Sequence, residues 1–235
     1  MNLRSTPSLH QTGFSLVEMA IVLAIVGLLL GGLLPTISGQ MEQRHVSDTR
    51  KQLAEIQQAL IGFAIINGRL PCPALSTTPT GSSTAGVETS TCAAPNNGGV
   101  LPWVTLGVSE TDAWGRRFTY RVTPAFATVT PVPFQLNTPG ILNVGLTWVS
   151  TDVGAASSVP AVVVSHGTNG LGAVMPNGTQ IPPIPALSSD EGDNTISSND
   201  NHFVSHDITP NFDDLVVWVS PNTLFNRMVA AGKLP

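Results

Sequence analysis

The sequence is short of charge, and basic residues are the scarcer kind. Charged residues make up 11% of the 235 residues, whereas an ordinary soluble domain has roughly 25%. Ten lysines and arginines against fifteen acids leave a net charge of −5. No stretch is dense enough in basic residues to form a nucleic-acid footprint, so we expect no nucleic-acid partner.

The chain also lacks the common catalytic motifs. It contains no Walker loop, no Gly-x-Ser-x-Gly elbow and no zinc-binding spacing, and Gly167–Gly172 follows neither Rossmann nor P-loop spacing. Serines, histidines and aspartates are present, but their spacing nominates no catalytic triad. We therefore predict that the protein is not an enzyme. Frequent glycine (22) and proline (19) are typical of a loop-rich β domain outside the cytoplasm.

One long apolar run stands near the N-terminus. It extends from Phe14 to Leu34 and is interrupted only by Ser15 and Glu18, a length of about twenty residues that matches a bilayer span. A cleaved signal peptide would need a shorter run and a small-x-small site, and soluble core helices are seldom apolar on all sides. A transmembrane anchor fits best. Because Arg4 precedes the run, we expect the N-terminus in the cytoplasm and the rest exported.

Export decides how the two cysteines are interpreted. In a reducing cytosol Cys72 and Cys92 would be two unrelated thiols. In an exported chain they indicate one disulfide closing a loop of about twenty residues, which stabilises the fold by roughly 3 kcal/mol.

Glu18 is the anomaly of the apolar run. An acid at the centre of a membrane span costs about 2.5–3.5 kcal/mol, and less near its end. Glu18 is therefore either a tolerated edge residue or an acid that awaits a cationic partner in the membrane.

Gly13-Phe14-Ser15-Leu16-Val17-Glu18 resembles the cleavage and methylation signature of type IV prepilins and pseudopilins. The resemblance implies a leader over residues 1–13, which a prepilin peptidase removes after Gly13 before methylating the new amine of Phe14. It also implies that Glu18 pairs with the Phe14 amine of a neighbouring subunit. Such a pairing is physically reasonable, because an amine and a carboxylate that are each costly in lipid neutralise one another.

The resemblance also implies what the chain does and where. We expect a minor pilin or pseudopilin that assembles into a type II secretion pseudopilus or a type IV pilus. Its partners would be prepilin peptidase, other pilin subunits, the inner-membrane assembly platform and membrane lipid, with the globular domain in the periplasm. A pilus-displayed adhesin or DNA-uptake module is one alternative, and a membrane-anchored exported enzyme is another.

The pattern beyond the apolar run predicts an α+β fold. Apolar residues at helical spacing, Val46, Leu53, Ile56, Leu60 and Phe63, predict one long helix from Phe14 to about Asn67. Its segment 14–35 would span the membrane, and 36–70 would continue it as an amphipathic helix. This second part would pack on an antiparallel β-sheet, which belongs to a globular domain over 71–235. The predicted strands are Val100–Leu106, Phe118–Val122, Leu142–Val149, Ala161–Ser165, Phe203–His206 and Leu215–Val219, and a final helix is predicted from Pro221 to Ala231.

Two further segments resemble parts of type II secretion pseudopilins. Asp112–Tyr120 resembles an Asp-x-Trp-Gly stretch that enters a strand. Ser165–Gly170 and Asp213–Trp218 resemble the calcium loop of major pseudopilins, which implies ligands at Asn169, Asp213 and Asp214. Asn169 stands where that family has Asp, so the calcium site would be weaker.

An insertion of about forty residues separates the two parts of this loop. Its acids, Asp190, Glu191, Asp193 and Asp200, are either further ligands or a solvated acidic loop. His202 and His206 are spaced as a metal pair on a helix would be, but the stretch reads as a strand or turn, so we interpret them as surface or hydrogen-bonded histidines.

Overall fold

The computed structural model describes most of the globular part of the chain. The described residues are 13–92, 98–128, 134–149, 154–182, 186, 188–197 and 201–234. At 30–38 only the backbone is described. The predicted leader lies outside these residues except for Gly13. The chain divides into two compact units, Met1–Gln43 and Arg44–Pro235.

The first helix, α1, runs from Leu16 to Asn67. It begins two residues after the predicted start, because Ser15 takes the N-cap position. It ends where predicted: Gly68 adopts a positive φ of 71° and its N–H donates to Ala64 O, which is a common way to terminate a helix.

The predicted membrane anchor lies in the first part of α1. Over the residues that the structure describes, no helix is both long enough and apolar enough to cross a membrane. The transmembrane segment predicted over 14–35 is therefore not confirmed.

From Arg44 onward, α1 buries one face against the globular core. Leu53, Ile56 and Leu60 are almost fully buried, while Val46 and Phe63 are half-buried. The helical spacing therefore predicted the correct face. Fully burying an aliphatic side chain contributes about 1.5–3 kcal/mol, so this face stabilises the contact between helix and sheet.

Within the described ranges, seven strands and four further helices follow α1. The strands are β1 (Gly98–Val100), β2 (Thr119–Val122), β3 (Leu142–Gly145), β4 (Ala156–Val159), β5 (Ala161–Ser165), β6 (His202–Val204) and β7 (Leu215–Val219). The helices are α2 (Trp103–Leu106), α3 (Pro124–Ala127), α4 (Asp190–Asp193) and α5 (Pro221–Ala230).

The strands form two sheets. The four-stranded sheet has the order β1-β2-β5-β7 and is antiparallel throughout, as predicted. The three-stranded sheet has the order β4-β3-β6, and its β3–β6 pair is parallel. A single antiparallel sheet was expected, but the long connection between β3 and β6 gives the chain room to return in the same direction.

The middle strands of the larger sheet are buried on both faces. Tyr120 and Val163 lie opposite each other and pack with the buried face of α1. Val162 and Val164 point the other way and pack with Phe203 of the smaller sheet. The fold therefore has three layers, which are the helix, the larger sheet and the smaller sheet.

Several strand bounds differ from their predictions, and one strand was missed. The strand predicted over Leu142–Val149 ends at Gly145, and the one predicted over Phe203–His206 covers His202–Val204. Val100–Leu106 is a strand only as far as Val100, because Pro102 has no N–H for a sheet neighbour and residues 103–106 form α2 instead. Strand β4 was missed, since its Ala-Ser-Ser-Val sequence carries little apolar signal. The final helix agrees with its prediction to within one residue.

The loop after α1 is fastened by a disulfide and an ion pair. Cys72 and Cys92 are bonded, and the Arg69 guanidinium binds both carboxylate oxygens of Glu88 at 2.7 and 2.8 Å. Burial alone would raise the pKa of Glu88, but the hydrogen bonds from Arg69 and from the Cys72 N–H bring that pKa below its usual value.

A buried arginine ties the neighbouring loops to the sheet. Arg117 is fully buried, its guanidinium lies 4.6 Å from the Trp103 ring centroid, and it pairs with Glu110 at 2.9 Å. Its other N–H groups donate to oxygens of two loops, those of Ser76, Thr78, Thr80 and Pro176. One side chain thus holds both loops beside the start of β2.

Replacement of Arg117 by Met should destabilise the protein strongly. The substitution keeps much of the volume but removes the guanidinium that pairs with Glu110 and donates to Ser76 O and Thr78 O, and breaking a buried pair costs about 3–5 kcal/mol. Urea denaturation of the full chain in detergent, followed by tryptophan fluorescence, measures the loss.

The matched control is Lys51→Met. Lys51 pairs with Asp48 at 3.0 Å on an exposed face of α1, and exposed pairs contribute little, so this variant should unfold as the wild type does. A loss below about 1 kcal/mol for Arg117→Met would contradict the role assigned to Arg117.

Candidate functional site

The start of α1 holds Glu18 in a hydrogen-bonded pair with Ser15. The Ser15 N–H donates to Glu18 Oε2 at 2.9 Å, and the Glu18 N–H donates to Ser15 Oγ at 3.2 Å. These reciprocal bonds form a capping box, with Ser15 as the N-cap and Glu18 as the third helical residue. The Ser-x-x-Glu pattern could have revealed this second role of Glu18 from the sequence.

The surface around this box is apolar and exposed. Phe14 is 81% and Leu16 is 91% exposed, and every residue from 13 to 29 is in the exposed class. Glu18 is the only charged residue between Gly13 and Gln40. Phe14, Glu18, Met19, Ile21 and Val22 line one hollow on this surface. The carboxylate therefore lies among side chains that water solvates poorly.

Gly13 has no steric reason of its own to be glycine. A Cβ built there would meet nothing within 4 Å, and Gly13 is exposed. A requirement for glycine at this position would therefore arise from a partner protein that recognises it.

The segment Asp112–Tyr120 organises the turn before β2. Asp112 Oδ1 accepts from the Trp114 and Arg116 N–H groups, and its Oδ2 accepts from Ser165 Oγ at 2.7 Å. Burial raises the pKa of Asp112, and these hydrogen bonds oppose the shift only in part. The motif is thus a structural turn, with Tyr120 fully buried and Trp114 half-buried.

Arg116 fixes the loop that the sequence predicts as a calcium loop. Its guanidinium donates to Gly167 O and, at 2.9 Å, to Thr168 O. Gly170 has a φ of 63°, and a Cβ there would collide with this guanidinium. The Ser165–Gly170 stretch therefore keeps its shape through contacts within the protein.

Asn169 contacts two of the acids near this loop. Its N–H donates to Asp213 Oδ2 at 2.8 Å, and its Nδ2 donates to Glu191 Oε1 at 2.7 Å. Its Oδ1 accepts from the Leu171 N–H at 2.8 Å. The amide oxygen that would have served as a calcium ligand is thus bonded within its own loop.

Three carboxylates converge beside Asn169. One oxygen from each of Glu191, Asp213 and Asp214 lies within 4.8 Å of the others. Burial raises the pKa of Glu191, and the charge of Asp213 raises it further. Burial also raises the pKa of Asp214 well above its usual value, with the charges of Glu191 and Asp213 adding to the shift. This cluster gains stability from anything that balances its negative charge.

The contacts of Asp214 bring it no positive charge at neutral pH. Its Oδ2 accepts from Asn194 Nδ2 at 2.9 Å, and its Oδ1, which accepts no hydrogen bond from the described residues, lies 3.7 Å from His166 Nδ1. Burial, helped by the charge of Arg116, lowers the pKa of His166 to about 4. His166 is therefore neutral at pH 7.

The remaining insertion acids pair with the two histidines. Asp193 lies 2.8 Å from His202, and Asp190 lies 3.3 Å from His206. Each histidine thus has its own carboxylate, in agreement with the interpretation of both as hydrogen-bonded residues. Asp200 lies outside the described residues.

Comparison with known proteins identifies the N-terminal segment. A family model described as the prokaryotic N-terminal methylation motif matches residues 9–34. The chain carries the signature of type IV pilins and pseudopilins. No curated protein and no solved structure matches it. The signature is typical of structural, membrane-anchored and exported subunits, and it implies processing by prepilin peptidase and assembly with other subunits. The N-terminal segment is thus pilin-like or pseudopilin-like.

Ser15→Ala should loosen the first turn of this pilin-like helix. Loss of an N-cap hydroxyl costs about 0.5–2 kcal/mol, so amide hydrogen exchange at Glu18 should accelerate about 2- to 30-fold. Ser15→Thr keeps a capping hydroxyl and should exchange as the wild type does. Equal exchange rates in all three proteins would contradict the capping box.

Proposed function

We propose that this chain is a minor subunit of a pilin or pseudopilin fibre, assembled through its processed N-terminus. The observation that carries the proposal is the methylation motif at residues 9–34, with Glu18 as the only acid in an exposed, apolar helical segment. In this proposal the helix anchors the subunit in the inner membrane and the globular unit lies in the periplasm.

Processing begins with cleavage after Gly13. The peptidase removes the leader and leaves Phe14 as the new N-terminus, whose amine is then methylated. Only Phe14 then precedes the capping pair, so the new amine lies one residue before the Ser15 N–H that Glu18 binds. Cleavage thus creates a positive charge close to the only carboxylate of the segment.

The amine of a neighbouring subunit is the partner of Glu18 in the fibre. Within the described part of one chain, the Glu18 carboxylate accepts from a neutral donor, the Ser15 N–H. A charged amine makes a stronger, charge-assisted hydrogen bond. In an apolar environment the pair also removes two charges that would each be costly alone. This pairing sets the register between helices that otherwise offer only apolar contacts.

The exposed apolar residues of this segment need a partner that shields them from water. Phe14, Leu16, Leu23 and Leu28 each expose at least 70% of their surface, and contiguous apolar surfaces of this kind are typical of membrane or protein interaction sites. We propose that lipid covers them before assembly and the helices of other subunits afterwards.

The globular unit favours a minor subunit over a major one. Residues 166–214 connect two adjacent strands, β5 and β7, and supply both α4 and β6. This long excursion adds the strand β6 to the smaller sheet, whose other two strands, β3 and β4, precede β5. It gives one subunit surface features that a repeated building block does not need.

Gly13→Ala should block processing. The added methyl group has open space in the chain itself, so a defect would reflect recognition by the peptidase. Intact-mass analysis of membrane-extracted protein should show the uncleaved mass for this variant and the cleaved, methylated mass for the wild type. Gly39→Ala, also at a position with open space, should be processed normally. Normal processing of Gly13→Ala would remove the basis for the cleavage site.

Glu18→Ala and Glu18→Gln should separate capping from pairing. Glutamine can still accept from the Ser15 N–H but cannot neutralise an amine. Both variants should stay in the membrane, and both should lose incorporation into fibres by more than about a hundredfold, as expected for a broken buried pair of about 3–5 kcal/mol.

Incorporation is measured as the amount of subunit in sheared fibres relative to the amount that remains in the membrane. Glu55→Gln, at an exposed position of α1, is the control and should assemble normally. If Glu18→Gln assembles as well as the wild type, the carboxylate charge has no role in pairing.

A further inference from the structure

An exposed set of apolar side chains lies where two strands of the smaller sheet end. Strands β3 and β6 are parallel, so the segments that follow them leave the same edge of the sheet. These segments carry four large apolar side chains that are 45–51% exposed, Leu146, Trp148, Val149 and Ile208. We call this set the sheet-edge patch. Apolar surface of this kind is typical of interaction sites.

Asp190 of α4 joins the two segments of the patch. Its Oδ1 accepts from the Trp148 N–H at 2.8 Å, and its Oδ2 lies 3.3 Å from His206 Nε2. The Ser205 N–H also donates to Gly145 O at 3.0 Å. A carboxylate is therefore fixed beside the backbone of Trp148, and the two segments are held together before any partner binds.

The rim of the sheet-edge patch is acidic. The sequence has no lysine or arginine between Arg121 and Arg227, so the segments that form the patch bring neither. The Asp190 side chain is 31% exposed, and Asp207, next to Ile208, is in the exposed class. Such a rim repels phosphate groups and anionic lipid headgroups and complements a cationic partner.

The fold keeps this edge away from the contacts of α1. The smaller sheet covers the face of β5 opposite the one that packs with α1. A neighbouring molecule that packs along α1 would therefore leave the sheet-edge patch uncovered. Its occupant has to approach the globular unit from the side of the smaller sheet.

We propose that the sheet-edge patch binds an arginine-bearing segment of a protein partner. A guanidinium stacks on the face of an indole and makes charge-assisted hydrogen bonds to carboxylates. Trp148 is the most exposed of the four tryptophans, and Asp190 and Asp207 supply the carboxylates. Tryptophan and arginine are also among the residues that contribute most to protein interfaces. A neutral glycan would stack on Trp148 as well, but it would gain nothing from the charge of the rim.

The test is a peptide titration of the full chain in phosphatidylcholine nanodiscs, followed by fluorescence anisotropy. The probe is a dye-labelled pentapeptide of alternating leucine and arginine, and the reference peptide has glutamine in place of arginine. The probe should bind with a Kd of about 1 mM or below, at least about tenfold more tightly than the reference. Added salt should weaken its binding, because exposed charges are screened. Because single subunits are titrated, the result does not depend on fibre assembly.

Two substitutions separate the indole from the charge. Trp148→Leu keeps an apolar side chain and should weaken binding of the arginine peptide about 2- to 5-fold. Asp207→Asn should weaken it by a similar factor and leave the affinity for the glutamine peptide unchanged. Glu55→Gln is the matched control, since it removes the same charge from an exposed position of α1, and it should bind as the wild type does. Unchanged urea midpoints verify that all three variants fold.

Three outcomes overturn the proposal. The first is a wild type that binds both peptides equally, or neither of them at about 10 mM. The second is a Trp148→Leu variant whose affinity for the arginine peptide equals that of the wild type. The third is binding that depends on Trp148 and is unaffected by Asp207→Asn, which is the behaviour expected of a platform for neutral glycans.

Discussion

The globular unit is built around a strand that is buried on both faces. Every residue of β5 is buried, so its sheet needs one apolar layer on each side. The amphipathic part of α1 supplies the first layer, and the smaller sheet with Phe203 supplies the second. The long connection from β5 to β7 follows from this requirement, because it brings β6 to the face that α1 cannot reach.

Local sequence signals were sufficient for the elements nearest to them. The apolar spacing of Leu53, Ile56 and Leu60 predicted the buried face of α1, and Asn67-Gly68 predicted its end. The β-branched run at 161–165 and the Ser220-Pro221 start of α5 were equally clear. These signals succeed because each is carried by a few neighbouring residues. Their apolar pattern also reflects whether the element buries one face or two.

The layering of the sheets could not be read in the same way. Ser157 and Ser158 give β4 no apolar alternation, and the parallel pairing of β3 with β6 depends on contacts far apart in sequence. The same limit applied to the acidic cluster. The sequence offered four insertion acids, and only the fold brings Glu191 to Asp213 while giving Asp190 and Asp193 their histidine partners.

The parallel pairing of β3 with β6 also bears on the order in which the unit can fold. In a chain that is delivered N-terminus first, α1, the disulfide loop and the β1–β2 pair are all available before β6 arrives. Until His202–Val204 has been delivered, the outer face of β5 presents Val162 and Val164 without their Phe203 cover. A partly synthesised chain would therefore expose an apolar surface, and aggregation would be most favoured at that stage.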